Sequence, residues 1–368
     1  MRSEKRPNTR MQMIDIARMA GVSVSTVSRA LAGSDLVNDA TRKKIVDLAK
    51  SLRFSANVGA QNLRRGQSQT IAVVLPKSNA DQQPVSDPFF ISLLGELADA
   101  LTSRGYDMLL TRVNEDHIDD VEGLVVSGRA LGIVVIGQWL HHYVLTGLAA
   151  RGVPIAVWGA TLPGSNYFTV GGDNRLGGKL ATEHLIACGR RRIMFLGDTR
   201  LPEVALRFEG YRDALIGAGY LVNPGLTAAV PFEGKAARRS LEDLFDHTAD
   251  FDALFACSDL IAMTANGLLN ARGLRVPDDV CVVGYDDLSL ASQVHPTLTS
   301  VRQPLAAAAQ ALVDAVLAAR EGKAPALVVL ETTLIQRESS QLAASGVNKP
   351  KVAARSAKSA KGTKGAKR

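Results

Sequence analysis

The chain has 368 residues, of which 46% are hydrophobic, 21% charged and 5% aromatic. This composition excludes a fibrous, collagen-like or wholly disordered protein, and the length suggests two or three domains of roughly 100–200 residues each. No apolar stretch approaches the roughly 20 residues that a membrane helix needs, and the charged N-terminus lacks the apolar run of a secretory signal. The cysteines Cys188, Cys257 and Cys281 are far apart in the sequence, which excludes a disulfide scaffold or a zinc ribbon and indicates a cytoplasmic protein.

Charge is distributed unevenly along the chain. Residues 1–66 contain 13 basic and 5 acidic side chains, residues 67–345 contain 22 and 31, and residues 346–368 contain 8 and 0. Basic segments at both ends therefore flank an acidic body. This asymmetry is typical of a nucleic-acid-binding region attached to a domain that binds something else, and the alanine- and lysine-rich tail is expected to be disordered.

The N-terminal region predicts a cluster of short helices. Apolar residues recur at helical spacing over Met13–Ala20, Ser23 can cap a second helix over Val24–Ala32, and Asn38 can cap a third helix that continues through Phe54. Two helices joined by a tight glycine-containing turn, with a third helix behind them, form a helix-turn-helix.

The second helix has two different faces. Val27 and Leu31 fall on the side that holds the helix against a small core, whereas Ser25, Ser28 and Arg29 share the opposite side. Short hydroxyls can approach phosphates or bases, and an arginine can read the O6/N7 edge of guanine. Solvation of a surface helix explains any one of these residues equally well, but the combined pattern and the positive charge favour DNA binding.

After residue 67, short apolar runs rich in β-branched residues alternate with helical stretches. Most of these runs are bounded by Gly, Pro or Asp, which is typical of strands buried on both faces of parallel sheets with crossover helices. The pattern is too long for one core, so two α/β lobes are expected. The runs are Thr70–Leu75, Asp107–Thr111, Gly132–Gly137, Pro154–Gly159, Arg192–Gly197, Ala253–Ser258 and Val280–Asp286.

The N-terminal motif resembles a known family. The run Ile14–Leu31 has the pattern D-(I/V)-A…A-G-V-S…T-V-S-R and resembles the head of the LacI/GalR transcriptional regulators. The similarity continues through Val37-Asn38 and Thr41-Arg42 into Asn57–Leu63, and then through the body to about Ser340. The resemblance implies an all-α helix-turn-helix head plus an α/β effector domain, whose two doubly wound parallel-sheet lobes are of the periplasmic-binding-protein type.

The expected domain boundaries follow from this resemblance and from the changes in composition. Four parts are expected: a helix-turn-helix domain at 1–56, a hinge helix and linker at 57–67, a two-lobed effector domain at 68–340 and a disordered basic tail at 341–368. Within the effector domain, the first lobe is expected to comprise about 68–161 and 300–327, and the second about 162–299 and 328–340.

The resemblance also implies a set of DNA contacts. Val24, Ser25 and Arg29 match positions that read bases. Thr26, Ser28 and Asn38 match positions that contact phosphates. Leu63 matches a hinge-helix leucine that, from each subunit, wedges into the minor groove. Such an apolar wedge kinks the duplex and lets more protein touch it. For the leucine, ordinary packing of a linker helix is the alternative. The implied contacts are Val24, Ser25, Thr26, Ser28, Arg29, Asn38, Asn57, Ala60 and Leu63.

A ligand is expected in the cleft between the lobes, where the carboxyl ends of parallel strands converge. By the resemblance, Asp173, Arg207 and Asp286 match effector contacts, and two carboxylates with one guanidinium suit sugar hydroxyls. The alternative is that Asp173 caps the next helix and that Arg207 pairs with Glu209 or Asp213.

Aromatic rings would complete a sugar site. Phe90 and Trp139 are the expected platforms, and Phe232 and Trp158 are further candidates, although each ring could instead belong to a core. Arg207 by itself does not distinguish a pair of hydroxyls from a phosphate.

The implied function is a sequence-specific repressor of carbohydrate-utilisation genes. A homodimer would bind a palindromic operator on double-stranded DNA and would be released by a sugar, because effector and operator binding are coupled. A corepressor-dependent regulator of the nucleoside or purine type, and a solute-binding protein without a regulatory role, are the alternatives. Enzyme motifs such as G-x-S-x-G and H-E-x-x-H are absent from the sequence. Neither a cofactor, a metal nor a membrane is expected, and the protein is expected in the cytoplasm at the nucleoid.

Overall fold

The computed structural model describes residues 11–31, 33–52, 54, 68–77, 83–138, 141–248 and 250–341. In these ranges the chain forms an all-α head and two α/β lobes, as the sequence predicts. None of the helices in this part of the chain is long and apolar enough to cross a membrane.

The head consists of helices α1 (Met13–Ala20), α2 (Val24–Leu31) and α3 (Asp39–Ser51). Gly21 ends α1 with a φ of 71°, a left-handed conformation that glycine adopts without strain. The three helices pack through Ile16, Val27 and Ile45, which are fully buried. The expected helix-turn-helix is therefore present, although α3 ends three residues before Phe54.

The first lobe is built on a parallel sheet with the strand order β11-β5-β4-β3-β1-β2. Helices cover both of its faces, which is why its central strands are buried on both sides. Its strands are β1 (Thr70–Lys77), β2 (Asp107–Asn114), β3 (Gly132–Ile136), β4 (Ile155–Trp158), β5 (Phe168–Gly172) and β11 (Leu327–Leu330). Its helices are α4 (Pro88–Thr102), α5 (Glu122–Val126), α6 (His142–Ala150) and α11 (Leu305–Arg320).

The second lobe has a sheet with the strand order β12-β10-β9-β8-β6-β7, in which only the pairing of β12 with β10 is antiparallel. Its core includes Phe195, Tyr211, Phe255 and Tyr285, all almost completely buried. Its strands are β6 (Ile193–Leu196), β7 (Thr227–Ala228), β8 (Ala253–Ala256), β9 (Cys281–Asp286), β10 (Thr299–Arg302) and β12 (Thr333–Ile335). Its helices are α7 (Asn174–Ala187), α8 (Pro202–Gly217), α9 (Gly234–His247) and α10 (Asp259–Ala271).

The chain passes between the lobes three times in its described part, after β5, after β10 and after β11. These crossings correct the expected division of the effector domain. β5 pairs with β4 in the first lobe, so 162–172 does not belong to the second. β10 pairs with β9 in the second lobe, and β11 pairs with β5 in the first. Apolar runs predict that strands exist, but not which sheet they join.

Helices α7 and α8 approach each other closely enough for their backbones to touch. A Cβ atom placed on Gly178 would collide with the backbone carbonyl oxygen of Arg207, and one placed on Gly210 would collide with that of Arg175. The absence of side chains at these glycines therefore sets the position of α8 and of the arginine that it carries.

Candidate functional site

Helix α2 presents a polar face to solvent. Val24, Ser25 and Arg29 are exposed, whereas Val27 and Ala30 on the opposite side are buried in the core of the head. The structure therefore brings the expected base-reading residues to one accessible surface, as a helix that enters a DNA groove requires. The neighbouring residues Thr26 and Ser28 are half-buried.

Hydroxyl groups fix the start of α2. The Ser23 Oγ accepts a hydrogen bond from the backbone amide of Thr26 at 3.1 Å, and it lies 2.8 Å from both the Ser25 Oγ and the Thr26 Oγ1. The Asn38 Oδ1 accepts from the Thr41 amide at 2.8 Å and so caps α3. The expected phosphate contacts of Thr26 and Asn38 remain predictions.

The hinge residues lie outside the described part of the chain. The minor-groove role of Asn57, Ala60 and Leu63 therefore remains a prediction.

We expect Arg29→Ala to lower affinity for the operator by roughly 5- to 150-fold, because one good arginine–base contact contributes about 1–3 kcal/mol of discrimination. The side chain is exposed, so the head should stay folded. The measurement is fluorescence anisotropy on operator and scrambled duplexes. Arg18→Ala, an exposed arginine of α1, is the control and should leave the ratio of the two affinities unchanged. An equal loss on both duplexes for Arg29→Ala would contradict a base-reading role.

A cavity lies between the two lobes at the carboxyl ends of their strands. Its wall includes Gly137 and Trp158, which stand at the ends of β3 and β4, and Ser258 and Asp286, which stand at the ends of β8 and β9. This is the position at which open α/β sheets bind ligands. The expected residues Phe90, Arg207 and Asp286 all line it.

Arg207 is held in the cavity wall by several contacts. Its Nε donates to the Asn174 Oδ1 at 2.8 Å, and its Nη1 donates to the Cys257 carbonyl oxygen at 2.5 Å. Its guanidinium carbon lies 3.7 Å from the centre of the Tyr285 ring, a cation–π contact. Asp213, the partner considered in the alternative interpretation, instead accepts from Arg175. These contacts fix the side chain of Arg207 in the cavity wall, and its contact with an effector remains a prediction.

Asp286 ends β9 in a strained backbone conformation. Its φ is 112° and that of Asp287 is 52°, values that cost non-glycine residues on the order of 1–3 kcal/mol each and that cluster at ligand sites. Arg302 and Arg337 donate to the two oxygens of Asp287 at 2.7 and 2.6 Å and so hold this turn in place. The Gln303 Nε2 donates to the Asp286 Oδ1 at 2.7 Å.

The electrostatic environment of Asp286 is set by burial. Desolvation raises the pKa of its carboxyl well above the usual value, Arg207 lowers it, and the carboxyl of Asp259 raises it further. A carboxyl with this environment in a cleft is a typical feature of a functional site.

Asp259 is a fully buried carboxyl behind the cavity wall. Its Oδ1 accepts from the Ser300 hydroxyl at 2.6 Å, and its Oδ2 accepts from the Leu288 amide at 2.8 Å. Burial raises the pKa of Asp259 to about 7, although these two hydrogen bonds and Arg337 lower it. At neutral pH the Asp259 carboxyl is therefore close to the midpoint of its ionisation.

Because the pKa of Asp259 is raised, we expect the free energy of unfolding to fall as the pH rises. The carboxyl has its ordinary pKa of 3.8 in the unfolded chain and a pKa of about 7 in the folded protein. The stability that this carboxyl contributes is therefore complete below pH 4 and is lost as the pH rises from 4 to 7. Asp259→Asn mimics the protonated form, because its amide can donate to Ser300 while its carbonyl accepts from Leu288. Urea unfolding between pH 5 and 8 should show a smaller loss of stability for the variant. Equal pH dependence of the two proteins would contradict the assignment.

Aromatic rings from both lobes line the cavity. Phe89, Phe90 and Trp158 come from the first lobe and Phe232 from the second. The centres of the Phe89 and Trp158 rings are 6.4 Å apart, and Phe90 and Trp158 are 5% and 6% exposed. Trp139 lies outside the described residues, so its expected role, like that of the Phe90 ring as a platform, remains a prediction.

Asp173 has a structural role that the alternative interpretation named. Its Oδ1 accepts from the Leu176 amide at 2.9 Å and caps α7, and it does not line the cavity among the described residues. Its contact with an effector remains a prediction.

Sequence reasoning missed Glu203 and Gln303, which do line the cavity. Glu203 stands one helical turn before Arg207, so helical periodicity could have indicated it.

Comparisons with known proteins agree with this architecture. Residues 12–57 match the bacterial regulatory proteins of the lacI family, and residues 182–340 match the periplasmic binding protein-like domain. The chain is 34% identical over 348 residues to the HTH-type transcriptional regulator CelR of Thermobifida fusca, covering 92% of this chain and all of that protein. It is 28% identical over 330 residues to the HTH-type transcriptional regulator GalR of Escherichia coli, covering 88% and 94% of the two chains.

Solved structures show the same fold. A structure of a CelR–cellobiose complex superposes with a TM-score of 0.67 at 31% identity, covering 90% of this chain and all of that one. The lac repressor dimer bound to operator and an anti-inducer superposes with a TM-score of 0.77 at 22% identity, covering 90% and 99%.

A helix-turn-helix head followed by a two-lobed ligand-binding body defines a DNA-binding transcriptional regulator. The chain belongs to the lacI family of bacterial regulatory proteins.

Proposed function

We propose that this regulator is a repressor of carbohydrate-utilisation genes that releases its operator when a sugar fills the cleft. The observation that carries this proposal is the cavity between the lobes, in which Arg207 and Asp286 stand beside aromatic rings. Polar groups of this kind pair with hydroxyls, and apolar rings stack on the faces of pyranose sugars. The similar protein CelR has been solved with cellobiose, which makes a β-linked glucose disaccharide the first sugar to test.

The regulatory step in this proposal is a coupling between two sites. A homodimer presents two copies of α2 to a palindromic operator, with half-sites about one helical turn or multiples of a turn apart. A sugar that binds between the lobes favours one arrangement of them, and it shifts DNA binding only as far as its affinities for the two arrangements differ. The protein acts in the cytoplasm, at the nucleoid.

The test is a gel-shift assay with the full chain on the intergenic DNA beside its gene, in the presence of mono- and disaccharides. We expect a palindromic site to be retarded and one saccharide to release it. A purine that strengthens retardation would instead identify a corepressor-dependent regulator. Failure to bind any palindromic site at low salt would contradict the proposal, and a native mass measurement tests the dimer.

A further inference from the structure

The turn that carries Asp286 is held by a carboxylate that lies behind the cavity wall. Asp286 and Leu288 line the cavity, whereas Asp287 between them does not, and the Asp287 side chain is only 4% exposed. Its φ of 52° is left-handed, a conformation that a non-glycine residue keeps only when its surroundings fix it. Asp287 is therefore placed to hold the wall rather than to contact a ligand.

Two arginines from separate segments of the second lobe bind the Asp287 carboxylate. Arg302 pairs with its Oδ2 and Arg337 pairs with its Oδ1. Arg302 is the last residue of β10, where the chain leaves for the first lobe, and Arg337 follows β12, where the chain has returned from it. One carboxylate thus ties the cleft turn to segments next to two of the three crossings between the lobes.

The backbone of the same turn is also hydrogen-bonded. The Asp287 amide donates to the Ser300 Oγ at 3.0 Å, and the Leu288 amide donates to the Asp259 Oδ2 at 2.8 Å. An amide in such a bond exchanges its hydrogen only when the local structure opens. The exchange rates of these two amides therefore report whether the turn is held in place.

We propose that Asp287 is a positioning residue of the cleft: its ion pairs with Arg302 and Arg337 fix Asp286 in the wall and tie it to the crossings between the lobes. A movement of the lobes that displaces either arginine then displaces Asp286 as well. Removing one partner of a buried ion pair is strongly destabilising, because it leaves the other charge uncompensated. This inference rests on the proposed function, because it specifies how the same cleft is coupled to the arrangement of the lobes.

The first measurement is hydrogen–deuterium exchange of the full chain, which needs no ligand. Asp287→Asn removes the charge at nearly constant size, and asparagine tolerates the left-handed conformation. We expect the amides of residues 287 and 288 to exchange at least tenfold faster in this variant than in the wild type, after correction for intrinsic rates. Asp279→Asn is the matched control and should leave both rates unchanged, because Asp279 pairs with Arg275 before the other end of β9.

A double variant separates positioning from a general loss of stability. Arg302 is 52% exposed, so Arg302→Gln should speed the same exchange only about two- to fivefold, and Arg302→Lys should restore most of the wild-type rate. Added to Asp287→Asn, Arg302→Gln should have no further effect, because its partner charge is already gone. A full additional acceleration in the double variant would overturn the shared action of the two residues. Arg302→Gln also carries the test if thermal melting shows that Asp287→Asn does not fold.

Isothermal titration with cellobiose gives the second readout. We expect Asp287→Asn to weaken cellobiose binding at least tenfold and Asp279→Asn to leave it unchanged. Unchanged exchange at residues 287 and 288 would overturn the inference, as would faster exchange with an unchanged affinity for cellobiose. A wild-type chain that does not bind cellobiose would count against that sugar in the proposed function, and the exchange rates would then decide the inference by themselves.

Discussion

Replacing Arg207 by lysine should produce a regulator that still binds its operator but no longer responds to its sugar. Lysine lacks the planar fork with which Arg207 donates through Nε to Asn174 and through Nη1 to the Cys257 carbonyl, so a single ammonium nitrogen cannot take both positions and also face a ligand. It also lacks the planar group that lies over the Tyr285 ring. Losing a hydrogen bond made by a charged group costs about 1.5–3 kcal/mol, so we expect sugar affinity to fall roughly 10- to 150-fold.

Two measurements check this result. Calorimetry gives the affinity for the sugar that releases wild-type protein from DNA, and fluorescence anisotropy gives operator binding with and without that sugar. Arg175→Lys is the matched control, because Arg175 lies on the adjacent helix and pairs with Asp213 at the surface. If Arg207→Lys were released from the operator at the same sugar concentration as wild type, Arg207 would have no role in ligand binding.

Gly178→Ala should destabilise the second lobe strongly. The added methyl group would collide with the Arg207 backbone carbonyl, which is not the flexible end of a side chain and can move only if the two helices separate. Overpacking a close contact typically costs about 1–3 kcal/mol, and more where backbone must shift. The variant should also lose sugar affinity, because the same displacement moves Arg207.

Urea unfolding and calorimetry measure the two effects. Gly217→Ala is the control: this glycine lies at the end of the neighbouring helix α8 with open space around it, and alanine there should stabilise the protein by up to about 1 kcal/mol. Equal stability of Gly178→Ala and wild type would show that the contact between α7 and α8 is not close.

Much of the fold could be predicted from local patterns. The spacing of apolar residues around Val27 and the hydroxyl of Ser23 predicted α2, because a helix start and its buried face depend on nearby residues. The run Val280–Asp286 predicted β9 for the same reason. The short strand β7 and the edge strand β11 carry weaker signals: β7 has two residues, and β11 alternates between exposed and half-buried positions.

The candidate site was only partly predictable. Arg207 and Asp286 were found through a resemblance that covers their local motifs, and both line the cavity. Gln303 was missed because its place in the wall arises only when the segment after β10 folds against the end of β9, where it donates to Asp286. Glu203 was missed although it lies one helical turn before Arg207. The strained φ of Asp286 is likewise a tertiary effect, since nothing in the local sequence requires a non-glycine residue there.

The three passages of the chain between the lobes make neither lobe a continuous stretch of sequence. During synthesis, the first sheet cannot acquire its outer strand until residues 327–330 have left the ribosome, and helix α11, which packs on the same sheet, is complete only at Arg320. The sheet of the second lobe likewise cannot acquire its edge strand β12 until residues 333–335 have left the ribosome. The body therefore matures late, from contacts between residues far apart in sequence, a topology associated with slow folding. A nascent chain halted near residue 300 would hold two incomplete cores, so residues 300–341 are decisive for both.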